Sequence, residues 1–294
     1  LTRRLGLPAG SLAAACAAFV LLVNLCTPFA LACGRVPVLR DLAAAVAFSP
    51  SLRAAVENEY VQYLGLEQTD GDVTMGVEYL IVDQRQVHIF FTVDSQVYPK
   101  LTGSGRIQMA DGEEAPVAWS MPGALDTPGE LYQITAVFPR SDVPDTLVLE
   151  YEVTPVEDWQ ATAPAEEEPE PEEEAQPVAS FAFTLTFDPR YTQQGEVLAV
   201  GQWVELSGQR LYVDSVELYP TSTRLNLADD PANTAWLKGL DGWLENGAGE
   251  RFGRYTGSIT AGVDSGTPFT PTHWLESCYF TEHDQLTLCL AGGE

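Results

Sequence analysis

The sequence predicts a mainly β chain with an N-terminal transmembrane helix, two short juxtamembrane helices and then two immunoglobulin-like β-sandwich domains. Three observations carry that expectation. An uncharged apolar segment lies near the start, two later blocks alternate apolar and polar residues with period two, and turns rich in Gly (24) and Pro (20) punctuate those blocks. The 294 residues suit about two domains. Hydrophobic residues make up 45% of the chain, enough for packed cores and against global disorder. Acids outnumber bases 42 to 15, giving a formal net charge of −27. Such a balance argues against nucleic acid as a partner, because little in the chain would displace counterions from a phosphate backbone.

No charged side chain occurs between Arg4 and Arg35. Residues 1–10 read as a short cytoplasmic stub and 11–33 as a transmembrane helix, since about 20 apolar residues cross a bilayer. Arg3 and Arg4 place the N-terminus in the cytoplasm and the remainder outside. Two other readings stay open. The apolar run Leu12–Val23, followed by Ala30-Leu31-Ala32, also has the form of a cleaved signal peptide. If cleavage falls after Ala32, Cys33 is the residue that lipidation would modify. All three readings export everything after residue 35.

Residues 35–64 are expected to hold the two juxtamembrane helices. Val38, Leu39, Leu42, Ala45 and Val46 recur at helical spacing. Ser49-Pro50 reads as an N-cap with proline at the first helical position, and Leu52, Val56, Tyr60 and Tyr63 would form one apolar face.

The first β-sandwich domain is expected over 65–190. Val73, Met75, Val77, Tyr79 and Ile81 alternate with smaller or polar residues, and Val87, Ile89, Phe91 and Val93 repeat the pattern after the Asp83–Gln86 turn. Further strands are expected near 106–109, 115–120, 131–138 and 146–154, with Gly103-Ser104-Gly105 as a break between strands. Residues 157–177 carry nine acids and no base, which reads as a solvated acidic loop before the strand at 180–187. The second domain is expected over 195–294, with a turn at Asp241-Gly242 and a terminal hairpin. The two blocks read as loose repeats of one plan, each opening with a pair of strands.

Five cysteines fall into two groups. Cys16 and Cys26 lie in the apolar segment and Cys33 at its edge, whereas Cys278 and Cys289 lie near the C-terminus. A hairpin centred on His283 and Asp284 would set Cys278 opposite Cys289, so a disulfide is expected there, against the alternative of two buried thiols.

Catalytic signals are sparse. The three histidines, His88, His273 and His283, show no metal-ligand spacing, and His88 reads as a surface residue. Val263-Asp264-Ser265-Gly266-Thr267 matches the core of an aspartic-protease motif, but the chemistry needs a second carboxylate and no second such motif occurs. No catalytic, cofactor or metal residues are assigned. Trp236, Trp243 and Trp274 are candidates either for lining a binding face or for packing at a sandwich edge.

Several segments resemble a family. Val23–Ala30, the adjoining VPVLRDL, Ala55–Gln62, Val77–Ser95, Tyr219–Leu225 and Glu276–Phe280 are similar to an uncharacterised family of bacterial membrane proteins described as anti-sigma factors. Its members pair an exported β-rich domain of unknown function with a companion C-terminal domain. The resemblance implies an uncleaved membrane anchor and the extracytoplasmic sensing or ligand-binding portion of a single-pass regulator. The implied partners are an unknown extracytoplasmic ligand or protein, and a sigma factor held through a cytoplasmic segment. Residues 1–10 are too few to bury the ~800 Å² per partner of a standard interface. The chain also starts at Leu1 rather than Met, so an upstream piece or another protein is expected to supply that segment. The alternative is a cell-surface or secreted module that binds wall polymer or protein without signalling.

Overall fold

The structure is a computed structural model that describes residues 37–140, 143–156, 176–192, 195–234, 240–256, 272–281 and 284–292. The expected stub at 1–10, the transmembrane helix at 11–33, Cys16, Cys26, Cys33, nearly all of the acidic run, Trp236, Asp264 and His283 lie outside them. No helix among the described residues is long and apolar enough to cross a membrane. The chain divides into two units, one ending at Ala44 and one running from Ala45 to Glu294. Of the first, the described part is the opening of helix α1 (Pro37–Ala45).

The second unit begins with helix α2 (Pro50–Glu57). Ser49 caps it as expected, its hydroxyl accepting the Leu52 N–H at 3.4 Å, and Pro50 takes the first turn. The buried face is Ser51, Leu52 and Ala55. The helix stops before Tyr60 and Tyr63 because Asn58 caps it and Glu59 turns to φ 58°. Tyr63 therefore belongs to the first strand, where the sequence had suggested a helix running to residue 64.

The rest is mainly β, in antiparallel sheets. The first half comprises β1 (Gln62–Asp70), β2 (Val73–Val82), β3 (Gln86–Ser95), β4 (Leu101–Met109), β5 (Ala118–Ser120), β6 (Tyr132–Val137), β7 (Thr146–Pro155) and β8 (Ala179–Thr186). One sheet runs β1-β2-β3-β6-β5 and the other β4-β7-β8. A single core draws on both, with Val77, Ile89, Phe91 and Ile134 from one and Ile107, Leu149, Tyr151 and Phe183 from the other. In β8 the alternation is complete, with Phe181, Phe183 and Leu185 buried and their neighbours exposed. The strands flanking the acidic run, β7 and β8, pair directly, Val153 opposite Ala179. Gly103 and Gly105 do not break the chain. They lie inside β4 because the Tyr151 ring packs where their side chains would be.

A short helix α3 (Pro189–Thr192) leads to the second half: β9 (Glu196–Leu206), β10 (Gln209–Leu218), β11 (Thr223–Asp229), β12 (Leu240–Asn246), β13 (Arg251–Phe252), β14 (Thr272–Leu275) and β15 (Leu286–Gly292). These form sheets β14-β11-β10-β9 and β13-β12-β15 around a second core that includes Leu211, Val213, Leu225, Leu227, Leu240 and Leu244. Asp241-Gly242 is not a turn but part of β12, where Gly242 faces Leu290 of β15. A Cβ at Gly242 would meet the Leu290 methyl at 3.4 Å, an ordinary contact, so nothing in the packing here requires glycine.

The two halves repeat one plan in detail. In β1, Leu64 and Gly65 together oppose the single residue Glu78, which is itself extra against β3. In β9, Val200 and Gly201 oppose Asp214, which is extra against β11. Gly65 (φ 59°) and Gly201 (φ 62°) take the left-handed conformation that such a bulge requires. The register agrees throughout at one constant offset in residue number. Gln62 pairs with Leu80 as Leu198 pairs with Val216, and Val82 pairs with Val87 as Leu218 pairs with Thr223.

Candidate functional site

The β2–β3 turn of the first half and the β10–β11 turn of the second are equivalent in the repeat, and they meet. Asp83 opens the first turn. Its Oδ1 accepts the backbone N–H groups of Arg85 (2.7 Å) and Gln86 (2.8 Å), and its Oδ2 accepts the Thr221 N–H (3.1 Å) and hydroxyl (2.5 Å). Asp83 is fully buried. Burial pushes its carboxyl above the usual range, while the Thr221 hydroxyl and the three N–H donors act the other way. Arg85 reaches in the opposite direction. Its Nε donates to the Tyr219 hydroxyl (3.4 Å), its Nη1 to the Pro139 carbonyl and its Nη2 to Glu217 Oε2 (2.9 Å).

Tyr219 is the repeat counterpart of Asp83, and Thr221 that of Arg85. The contacts Asp83–Thr221 and Arg85–Tyr219 are therefore reciprocal, as in an isologous interface between identical subunits. Here the two partners are one polypeptide.

Glu217 gathers the next layer. It accepts from Asn226 Nδ2 (2.8 Å) and the Tyr219 hydroxyl (2.9 Å), beside Arg85 and with Arg224 Nη1 at 3.6 Å. Burial alone would raise its pKa, but Asn226, Arg85 and Arg224 hold it below the usual carboxylate range. Arg224 stacks on the Trp274 ring with its guanidinium carbon 4.8 Å from the centroid. Burial, then the nearby Arg85, lowers the Arg224 pKa.

Below the turn lies His88, fully buried rather than on the surface as the strand pattern suggested. That pattern failed because sheet faces on both sides of β3 are covered at this position. Its Nε2 is 3.0 Å from Gln86 Oε1, and its Nδ1 lies 3.0 Å from Gln133 Nε2 and 3.2 Å from the Thr135 hydroxyl. Burial pushes its pKa down to about 3, so the ring is neutral.

Glu276 ties helix α2 to this frame. Its Oε2 accepts from the Ser51 N–H (3.1 Å) and the Ser51 hydroxyl, and its Oε1 from the Thr256 N–H (2.8 Å) and hydroxyl (2.7 Å). The neighbouring Ser277 N–H donates to the Ser51 Oγ (2.8 Å), and the Ser277 hydroxyl donates to the Tyr219 carbonyl (2.6 Å). A carboxylate over the first turn of a helix also interacts favourably with its dipole. The chain of contacts thus runs from α2 through Glu276 and Ser277 to Tyr219, Arg85 and Asp83.

Both oxygens of Asp83, Glu217 and Glu276 accept from protein donors. No cluster among the described residues has the composition to hold a metal ion. Parts of three of the six segments named in the sequence analysis, around Asp83–Gln86, Tyr219–Arg224 and Glu276–Phe280, converge here. The sequence reading did not single out Asp83, Arg85, Glu217, Thr221 or Glu276. Two charged residues set in a turn between long apolar strands, Asp83 and Arg85, were the available signal.

Cys278 and Cys289 do not form the expected disulfide; both thiols are free. Among the described residues the strands do not pair as that hairpin would: β14, which precedes Cys278, pairs with β11, and β15, which carries Cys289, pairs with β12. Cys278 is buried with its sulfur 4.0 Å from the Thr223 hydroxyl, whereas Cys289 sits opposite Trp243. Trp243 and Trp274 are half-buried under the guanidinium groups of Arg251 and Arg224 and do not join in one face.

Residues 3–95 match the family model described as a domain of unknown function (DUF4179). The matched stretch ends with β3, one strand beyond the Asp83 turn. A conserved domain protein from Bacillus anthracis, of known crystal structure, is similar over 74% of this chain and 72% of its own, at 15% identity and a TM-score of 0.46. The comparison with curated proteins gives no match.

Proposed function

We propose that the chain is the extracytoplasmic sensing or ligand-binding portion of a single-pass membrane regulator resembling anti-sigma factors, and that it is not an enzyme. In this reading residues 11–33 anchor it in the cell membrane with the N-terminus cytoplasmic. Each pair of sheets acts as an immunoglobulin-like sandwich that receives an extracytoplasmic signal. A sigma factor would be held by a cytoplasmic segment, and no cofactor takes part.

The observation that carries the proposal is the Ser51–Glu276 contact. It fastens the first turn of α2 to the polar junction between the two cores, giving a signal at the β structure a route towards the membrane-proximal helix. The family match supports the reading because it runs unbroken from residue 3 across the apolar segment and α2 into β3. A ligand acts through such a route only if it favours one of two states of the junction.

Transcript profiling of the bacterium that carries the gene tests the proposal, comparing the intact chain, its deletion and a Glu276→Ala variant. The expected result is a restricted set of transcripts that changes on deletion and changes again in the variant. Unaltered transcripts on deletion would overturn it and leave the surface-binding module.

A further inference from the structure

Among the described residues, the internal repeat leaves β8 of the first half without a counterpart in the second. In the first half β4 pairs with β7 and β6 with β3, as β12 pairs with β15 and β14 with β11 in the second, while β5 beside β6 and β13 beside β12 each belong to one half. β8 pairs along β7 and closes the side of the first core that adjoins β1. Gln68 bonds both the N–H and the carbonyl of Ala182 (3.2 and 2.6 Å), and Gln62 donates to the Thr186 carbonyl (2.8 Å). Behind that strand the inward residues of β7 are sealed, with Leu147, Leu149, Tyr151 and Val153 all 0% exposed.

In the second half the corresponding strip stays half-bare. Leu286, Leu288 and Leu290 of β15 are only partly buried, although they pack on the second core. Leu198, Val204 and Leu206 of β9 are likewise partly buried against the same core. These three stand at the repeat positions of Gln62, Gln68 and Asp70. Where β1 offers polar groups that clamp a strand's backbone, β9 therefore offers apolar surface. Among the described residues, no strand pairs with β15 on the side away from β12, or with β9 on the side away from β10.

We propose that this slot between β15 and β9 receives an extended segment of another polypeptide as an added strand, antiparallel to β15. Its chemistry is set by β8, the strand in the equivalent place. Large apolar side chains at alternate positions enter the core, and the segment is uncharged or basic, since the chain carries −27. That same charge disfavours a second copy of the chain as the occupant. The backbone of β15 supplies a ladder of unpaired groups, and the six apolar residues supply specificity by register. The inference does not depend on the regulatory reading.

The test uses the full chain and a synthetic peptide, ASFAFTLT flanked by lysines, in fluorescence anisotropy and amide hydrogen exchange. The expected result is saturable binding, with binding at least about tenfold weaker for a permuted peptide whose apolar residues are contiguous. The peptide should slow exchange of alternate β15 amides by about tenfold or more. Leu288→Arg should abolish binding, while Thr287→Arg, at an exposed neighbour, should leave it intact and report on folding. Equal binding of both peptides, or no binding at all, would overturn the proposal. So would concentration-dependent dimerisation that protects β15, or full β15 protection before any peptide is added.

Discussion

Asp83 and Thr221, far apart in sequence, share two hydrogen bonds at the meeting of two equivalent turns, while Arg85 and Tyr219 make the reciprocal contact. The junction between the cores is thus a near-symmetric clasp of charged and hydroxyl groups closed from water. Its energetic importance lies less in the bonds formed than in the donors left unpaired when one acceptor is lost.

Asp83→Ala orphans the backbone N–H groups of Arg85, Gln86 and Thr221 at once and leaves the Thr221 hydroxyl only Gln86 Oε1, at 3.0 Å. The expected loss is about 2–4 kcal/mol of stability. Urea denaturation of the full chain measures it, and a change below about 0.5 kcal/mol would show that the clasp contributes nothing.

His88 sets the acid limb of stability. Its pKa falls from 6.5 to about 3 on folding, so the unfolded chain binds the proton more readily. Stability is therefore complete above pH 6.5 and declines as the pH falls through that value towards 3, by roughly 2 kcal/mol at pH 5. The raised pKa of Asp83 works in the opposite sense, its contribution being lost as the pH rises above the ordinary value of 3.8. Comparing denaturation midpoints of the wild type and His88→Gln between pH 7.5 and 5 isolates the histidine, and the variant should lose most of the slope.

Glu276→Gln removes the negative charge from the first turn of α2 and leaves one oxygen where four donors had two. Amide exchange across Leu52–Glu57 should accelerate by about tenfold, with the first β core unaffected. Equal acceleration in β2 and β3 would mean that Glu276 supports the whole unit rather than the helix.

Cys278 and Cys289 should be recovered as free thiols, and reductant should leave the melting temperature unchanged. Burial pushes the Cys278 thiol up, so Cys289 should alkylate first on the native chain. A disulfide-linked peptide in a non-reduced digest would contradict the pairing of β15 with β12.

The β architecture was legible where side-chain alternation was strong. Leu147, Leu149, Tyr151 and Val153 in β7 and Phe181, Phe183 and Leu185 in β8 announce their faces, and Ser49-Pro50 announces the start of α2. Glycine misled because it has two uses. Gly242 and Gly103 read as a turn and a break but lie inside strands, and at Gly103 the Tyr151 ring leaves no room for a side chain. The repeat was visible as an order of strands, yet over 62–93 and 198–229 the halves share only Gly65/Gly201 and Val77/Val213. Its bulges, and the meeting of its two turns, come from tertiary pairing that no local pattern encodes. The polar junction was hidden for the same reason, since Asp83 and Thr221 lie 138 residues apart and meet only through the tertiary fold.

The separation of these contacts along the chain fixes the order in which the molecule can be fastened. Gln62 must wait 124 residues for Thr186, Asp83 138 residues for Thr221, and Ser51 225 residues for Glu276. A helix made among the first described elements is thus among the last to gain its anchor during synthesis. Closing so long a loop slows folding more than it weakens the product. Until Glu276 arrives, the first turn of α2 lacks the carboxylate that spans it, and premature termination in the last twentieth of the chain or so would leave β12 without β15 while sparing the Ser51 contact.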